Sequence, residues 1–103
     1  MLHRAGPVLD KEIARRLGEE ENGAPRYSTD ARAADRLIDR LEESSVLVSC
    51  ALAKPYWYCS LSINASGRRE LLATGTGATR PLALCRAVTN LPEGRLRKNS
   101  MPS

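Results

Sequence analysis

The stretch Val46–Ile63, VLVSCALAKPYWYCSLSI, decides how this chain folds. Two uncharged, mostly apolar runs flank Lys54-Pro55, and a proline there punctuates the chain as a turn does. A hairpin centred on that dipeptide sets Leu52 against Trp57, Cys50 against Cys59, Val48 against Leu61 and Val46 against Ile63. Strand side chains alternate between faces, so all eight share one apolar face. The opposite face receives Leu47, Ser49, Ala51 and Ala53 against Ser62, Ser60, Tyr58 and Tyr56. A slip of one residue would destroy the match, so the register is strongly specified.

Downstream, NASG (64–67) is a turn with Gly67 suited to a left-handed position, and RRELLATG (68–75) is a third strand. With Leu71 beside Leu61, Leu71 and Ala73 join the tryptophan face, while Glu70, Leu72 and Thr74 join the tyrosine–serine face. Thr79 then caps a last helix, Pro81 fits its first turn, and Leu84, Cys85, Val88 and Leu91 form its apolar stripe. Upstream, STDARAADRLIDRLEES (28–44) is the strongest helix, capped by Ser28 or Thr29, with Ala34, Leu37, Ile38 and Leu41 along one side. DKEIARRLGEE (10–20) is a short helix capped by Asp10. The expected architecture is α+β, a small α-β-α sandwich: a three-stranded antiparallel meander, two main helices over the tryptophan face, and the short N-terminal helix sheltering the other face. Residues 1–91 form one α/β domain and 92–103 a basic, flexible tail.

The chain has 103 residues and a net charge of +4. The charge is uneven: residues 28–45 hold five acids and three arginines, whereas 46–91 hold Lys54, Arg68, Arg69, Arg80 and Arg86 against Glu70 alone. A basic half favours an anionic partner, and the same charge also serves solubility. No apolar run is long enough to span a membrane and no export leader is evident, so a soluble, cytoplasmic protein without a membrane partner is expected. Three cysteines without paired spacing suit a reducing compartment. Cys50 and Cys59 face each other, yet a cytosolic setting argues against their disulfide.

Enzyme chemistry is poorly supplied. The single histidine is His3, and the three cysteines fall on apolar faces, so no catalytic residue, metal or cofactor is expected. Gly75 and Gly77 give G-x-G, but Arg80 stands where a dinucleotide fingerprint needs its third glycine, and no P-loop lysine follows. The glycines are expected to turn the strand into the helix, with Arg80 at the helix start meeting an anion. The candidate partner-binding residues are Arg68, Arg69, Arg80 and Arg86 as charged contacts, with Tyr56 and Tyr58 as flat ones. Aromatic rings beside a guanidinium on a sheet are also able to stack bases.

Tyr27-Ser28-Thr29-Asp30 at one helix start and Thr79-Arg80-Pro81-Leu82-Ala83-Leu84-Cys85-Arg86-Ala87 at another resemble the phage ABA-sandwich domain family, over roughly residues 10–91. The resemblance implies a phage or prophage origin and an αβα sandwich, without a known activity. More weakly, a helix, three strands and GTGATRPLALCRAVTNL resemble the order of a double-stranded-RNA-binding domain, with Arg80 where that family clusters lysines. The function expected is a non-catalytic phage accessory protein. It would bind a host protein or nucleoprotein complex with an anionic surface and inhibit host defence in the manner of an anti-CRISPR. The alternative is a small RNA- or DNA-binding module using the basic half.

Overall fold

The computed structural model describes residues 4–92. The elements run α1 (Pro7–Leu17), α2 (Ala31–Glu43), β1 (Leu47–Ala53), β2 (Tyr56–Ala65), β3 (Arg68–Gly77) and α3 (Arg80–Thr89). The strands form one antiparallel sheet in the order β1-β2-β3, so the fold is α+β, with a short N-terminal helix beside two others. The tail expected at 92–103 lies, apart from Pro92, outside the described residues, as does His3.

The hairpin forms in the expected register, with Leu52 opposite Trp57, Cys50 opposite Cys59 and Val48 opposite Leu61. The Lys54–Pro55 peptide at its tip is cis. The third strand departs from expectation. Ala73 pairs with Leu61, but Leu71 pairs with Ser62, which leaves Leu72 as an extra residue on β3. This bulge reverses the alternation beyond it. Leu71 therefore moves to the tyrosine–serine face and is 60% exposed, while Glu70 pairs with Ile63 on the tryptophan side. Leu72 packs against the core instead of joining the tyrosine–serine face.

The glycines also do something other than make the turn. Both lie within β3, two residues apart, and hence on one face. A Cβ at Gly75 would overlap the Ala87 backbone nitrogen and sit 2.5 Å from the Ala83 carbonyl oxygen. A Cβ at Gly77 would sit 2.9 Å from Leu82 Cγ and 3.0 Å from the Ala83 nitrogen. The backbone of α3 thus rests directly on the backbone of β3. Thr79 caps α3, its hydroxyl accepting from the Leu82 N–H at 3.3 Å.

The other two helix starts differ from expectation. Asp30, not Ser28 or Thr29, caps α2 and accepts from the Arg32 N–H at 3.0 Å. Asp10 does not cap α1, which begins three residues earlier with Pro7 in its first turn and Gly6 as the flanking residue. Asp10 and Ser28 are instead both buried, at 4% and 1% exposure. Asp10 Oδ1 accepts from the Ser28 N–H at 2.8 Å and from its hydroxyl at 2.6 Å, and Ser28 Oγ accepts from the Gly6 N–H at 2.9 Å. The first helix was expected to shelter the tyrosine–serine face. It packs on α3 instead, and Arg16 donates to the Leu91 carbonyl at 3.1 Å. Leu9, Ile13 and Leu17 of α1 join Leu37, Leu41, Val46, Leu61, Leu84 and Val88 in one core on the helical side of the sheet.

Four substitutions test this packing. Gly75→Ala forces two backbones apart and should lower unfolding free energy by about 3 kcal/mol, the upper range for overpacking. Leu61→Ala empties a fully buried site and should cost about 2–5 kcal/mol, more than Trp57→Ala, because Trp57 is only half-buried. Ser28→Ala leaves the backbone N–H on Asp10 but removes the hydroxyl that donates to it and accepts from the Gly6 N–H, and should cost about 1–3 kcal/mol. Denaturant unfolding measures all of them, and a Gly75→Ala protein as stable as the parent would refute the close β3–α3 contact.

Candidate functional site

With every helix on one side, the tyrosine–serine face of the sheet is left uncovered among the described residues. The alternation that put apolar side chains under the helices puts Tyr56, Tyr58, Ser60, Ser62 and Asn64 of β2 along the middle of this face. Tyr56 is 57% and Tyr58 41% exposed at the hairpin end. Toward the other end, Leu47, Ser49, Ser60, Ser62 and Leu71 line a groove of about 470 Å³, with Glu42 and Arg69 also in its wall. Ser62 is buried because it sits on the central strand opposite Leu47 on one side and Leu71 on the other.

The structure does not gather the six candidate residues into one patch. Arg69 lies opposite Asn64 and so shares the tyrosine face, but six residues separate Asn64 from Tyr58, about 20 Å along a strand. Arg68 lies opposite Ala65 and alternates to the helical side, so it does not neighbour the tyrosines as expected. Arg80 forms an ion pair with Asp35 of α2 (3.0 Å), which ties the start of α3 to the acidic helix. Arg86 donates to the Thr76 carbonyl at 2.9 Å, and Thr76 pairs with Tyr58, so Arg86 reaches the tyrosine end from the edge of β3.

Two polar clusters join the helices and were not foreseen. Tyr27 donates its hydroxyl to Glu19 at 2.6 Å, and Glu19 also pairs with Arg40, which donates to the Leu17 carbonyl at 3.2 Å. Burial, then the hydrogen bond to Glu19, pushes the Tyr27 phenol well above its ordinary range, so it stays a donor. The Arg15 hydrogen bond, acting against burial and aided by Arg16, holds the Glu12 carboxyl below its usual range. Sequence spacing carries no signal for the Asp10–Ser28 clasp, whose partners are eighteen residues apart, one on α1 and one in the segment before α2.

Burial, reinforced by the charge of Asp10, pushes the Cys85 thiol far up, so it is held protonated in the core. No cluster of three or more His, Cys, Asp or Glu side chains able to hold a metal occurs among the described residues. A second hollow, of about 400 Å³, lies beside the start of α1 and includes Asp10, Lys11 and Arg26, but Asp10 Oδ1 is already engaged by Ser28. No described helix is long and apolar enough to cross a membrane.

Cys50 and Cys59 are joined by a disulfide, with their Cα atoms 4.1 Å apart. This corrects the reduced pair expected for a reducing compartment. The apolar register that set the two residues face to face also set their sulfur atoms within bonding reach. Comparisons with family models, curated proteins and solved structures find no match to this chain.

The native protein should present no reactive thiol, because Cys85 is buried and the other two are bonded. Unfolded without reductant, it should titrate one thiol per chain. Three thiols would show the hairpin pair to be reduced.

Proposed function

We propose that this chain is a non-catalytic binding protein whose partner docks on the uncovered face of the sheet. The observation that supports it is the exposure of Tyr56, Tyr58 and Leu71 on a face that no described helix covers. Tyrosines supply large contact area at low conformational cost and are enriched among the residues that anchor protein interfaces. The resemblance of Tyr27–Asp30 and Thr79–Ala87 to a phage domain family supports a bacterial host factor as the partner. On that reading the protein acts in the host cytoplasm to block a defence system. Arg69 on this face and Lys54 at the hairpin tip favour a partner surface that is anionic. Arg80 also holds Asp35 of α2 in an ion pair at 3.0 Å, so its contact with an anionic partner would compete with that pair.

A nucleic-acid module is the second reading, and one feature favours it: Tyr56 and Tyr58 alternate onto the same face, as base-stacking rings do.

The test is affinity for a host partner captured on the full-length protein. Tyr58→Ala combined with Leu71→Ser should weaken binding about tenfold or more, about 1.4 kcal/mol, and leave the fold intact because both residues are exposed. Asp39→Lys, on the exposed side of α2, should leave binding within about twofold, as surface substitutions away from an interface do. The opposite pattern would place the surface on the helices. Binding to a single-stranded oligonucleotide that weakens steeply with salt would favour the second reading.

A further inference from the structure

The sheet has two edges, and they are built differently. On β3, Asn90 Nδ2 donates to the Thr74 carbonyl at 2.8 Å and Arg86 donates to the Thr76 carbonyl at 2.9 Å. The strand also carries Arg68, Arg69 and Glu70 and the bulge at Leu72. Occupied carbonyls, charges and bulges are the means by which edge strands avoid pairing with another chain.

β1 has none of these. Its seven residues, LVSCALA, contain no charge, no proline and no bulge. The direction of its free backbone groups follows from two agreeing observations. The Cys50 and Cys59 Cα atoms are 4.1 Å apart, the separation of a pair that does not exchange ladder hydrogen bonds. Cys59 then bonds toward Gly75, which turns the Thr74 and Thr76 carbonyls outward, where Asn90 and Arg86 meet them. By the same alternation, Val48, Cys50 and Leu52 direct their N–H and C=O groups away from the sheet. Among the described residues no backbone group pairs with them. Leu52 is 52% exposed beside this edge.

We propose that β1 pairs antiparallel with β1 of a second copy of this chain, so that one sheet runs through a twofold dimer. The register that pairs all seven residues is centred on Cys50 and sets Leu52 opposite the second copy's Val48. The exposed leucine gains an apolar neighbour, and no like charges meet along the strand. The same register brings Lys54, at the hairpin tip, opposite Val46 of the other copy. Val46 follows closely on Glu42 and Glu43, the exposed C-terminal end of α2. This charge complementarity occurs twice by symmetry, and it selects a second copy over an unrelated strand. The proposal does not rest on the partner-binding reading. It leaves the tyrosine face open and makes it continuous across both copies.

Light scattering across a dilution series of the full chain tests it, with amide hydrogen exchange on the same samples. The expected result is a monomer–dimer equilibrium in which the Cys50 and Leu52 amides gain protection as the dimer forms. Leu52→Lys should weaken the dimer about tenfold or more without lowering the thermal stability of the monomer. Thr76→Lys, on the guarded edge, should leave it unchanged. Lys54→Glu should weaken the dimer, and adding Glu42→Lys with Glu43→Lys should restore it. A chain that stays monomeric at every concentration, or a dimer indifferent to Leu52→Lys, overturns the proposal.

Discussion

Everything in this fold is arranged around one contact, the backbone of α3 lying against the backbone of β3. It exists because Gly75 and Gly77 present no side chain toward Ala83 and Ala87, which are one helical turn apart. Close approach lets a ten-residue helix with little apolar bulk seal the middle of the sheet. It also fixes where the end of α3 falls, which is why Arg86 and Asn90 reach the rim of β3 and occupy its carbonyls. The helices gather on that side, and the opposite face goes uncovered. The location of the exposed tyrosines and the difference between the two edges both descend from two absent methyl groups.

Side chains with polar ends join the helices to one another. Asp10 and Ser28 are nearly inaccessible to water, and they satisfy each other and Gly6 without leaving a buried group unmatched. A carboxylate so placed is tolerated only because donors surround it. Glu19 plays a similar part nearer the surface, receiving Tyr27 from the loop and Arg40 from α2. These links hold the segment between α1 and α2 against the body, where apolar contacts alone would be sparse.

The hairpin was legible residue by residue because period-two alternation leaves only one register with every apolar pair aligned. Thr79 and Pro81 were legible as a helix start for local reasons of the same kind. Leu71 was not, because a single inserted residue inverts the faces, and a run such as RRELLA contains nothing that marks where the insertion falls. The glycines showed that something special happens at 75–77, but composition alone does not separate a turn from a close packing surface. The uncovered face was half legible. Tyr56 and Tyr58 emerged from alternation, whereas the contacts of Arg80 with Asp35 and of Arg86 with the Thr76 carbonyl join different elements and leave no mark in the spacing. Asp10 looked like a cap because caps are local and its real partner is remote.

The position of α1 sets the order in which the chain completes itself. Residues 7–17 leave the ribosome before α2 and α3, yet the surface they lie on is formed by residues 80–89. A helix this short holds little structure alone in water. Its leucines and isoleucine therefore have no permanent place until α3 is made, and α1 precedes α3 in synthesis but docks only after it. The clasp between Asp10 and Ser28 closes over a much shorter span of chain than the seat on α3. It is suited to keep the segment folded back near the growing body until α3 arrives.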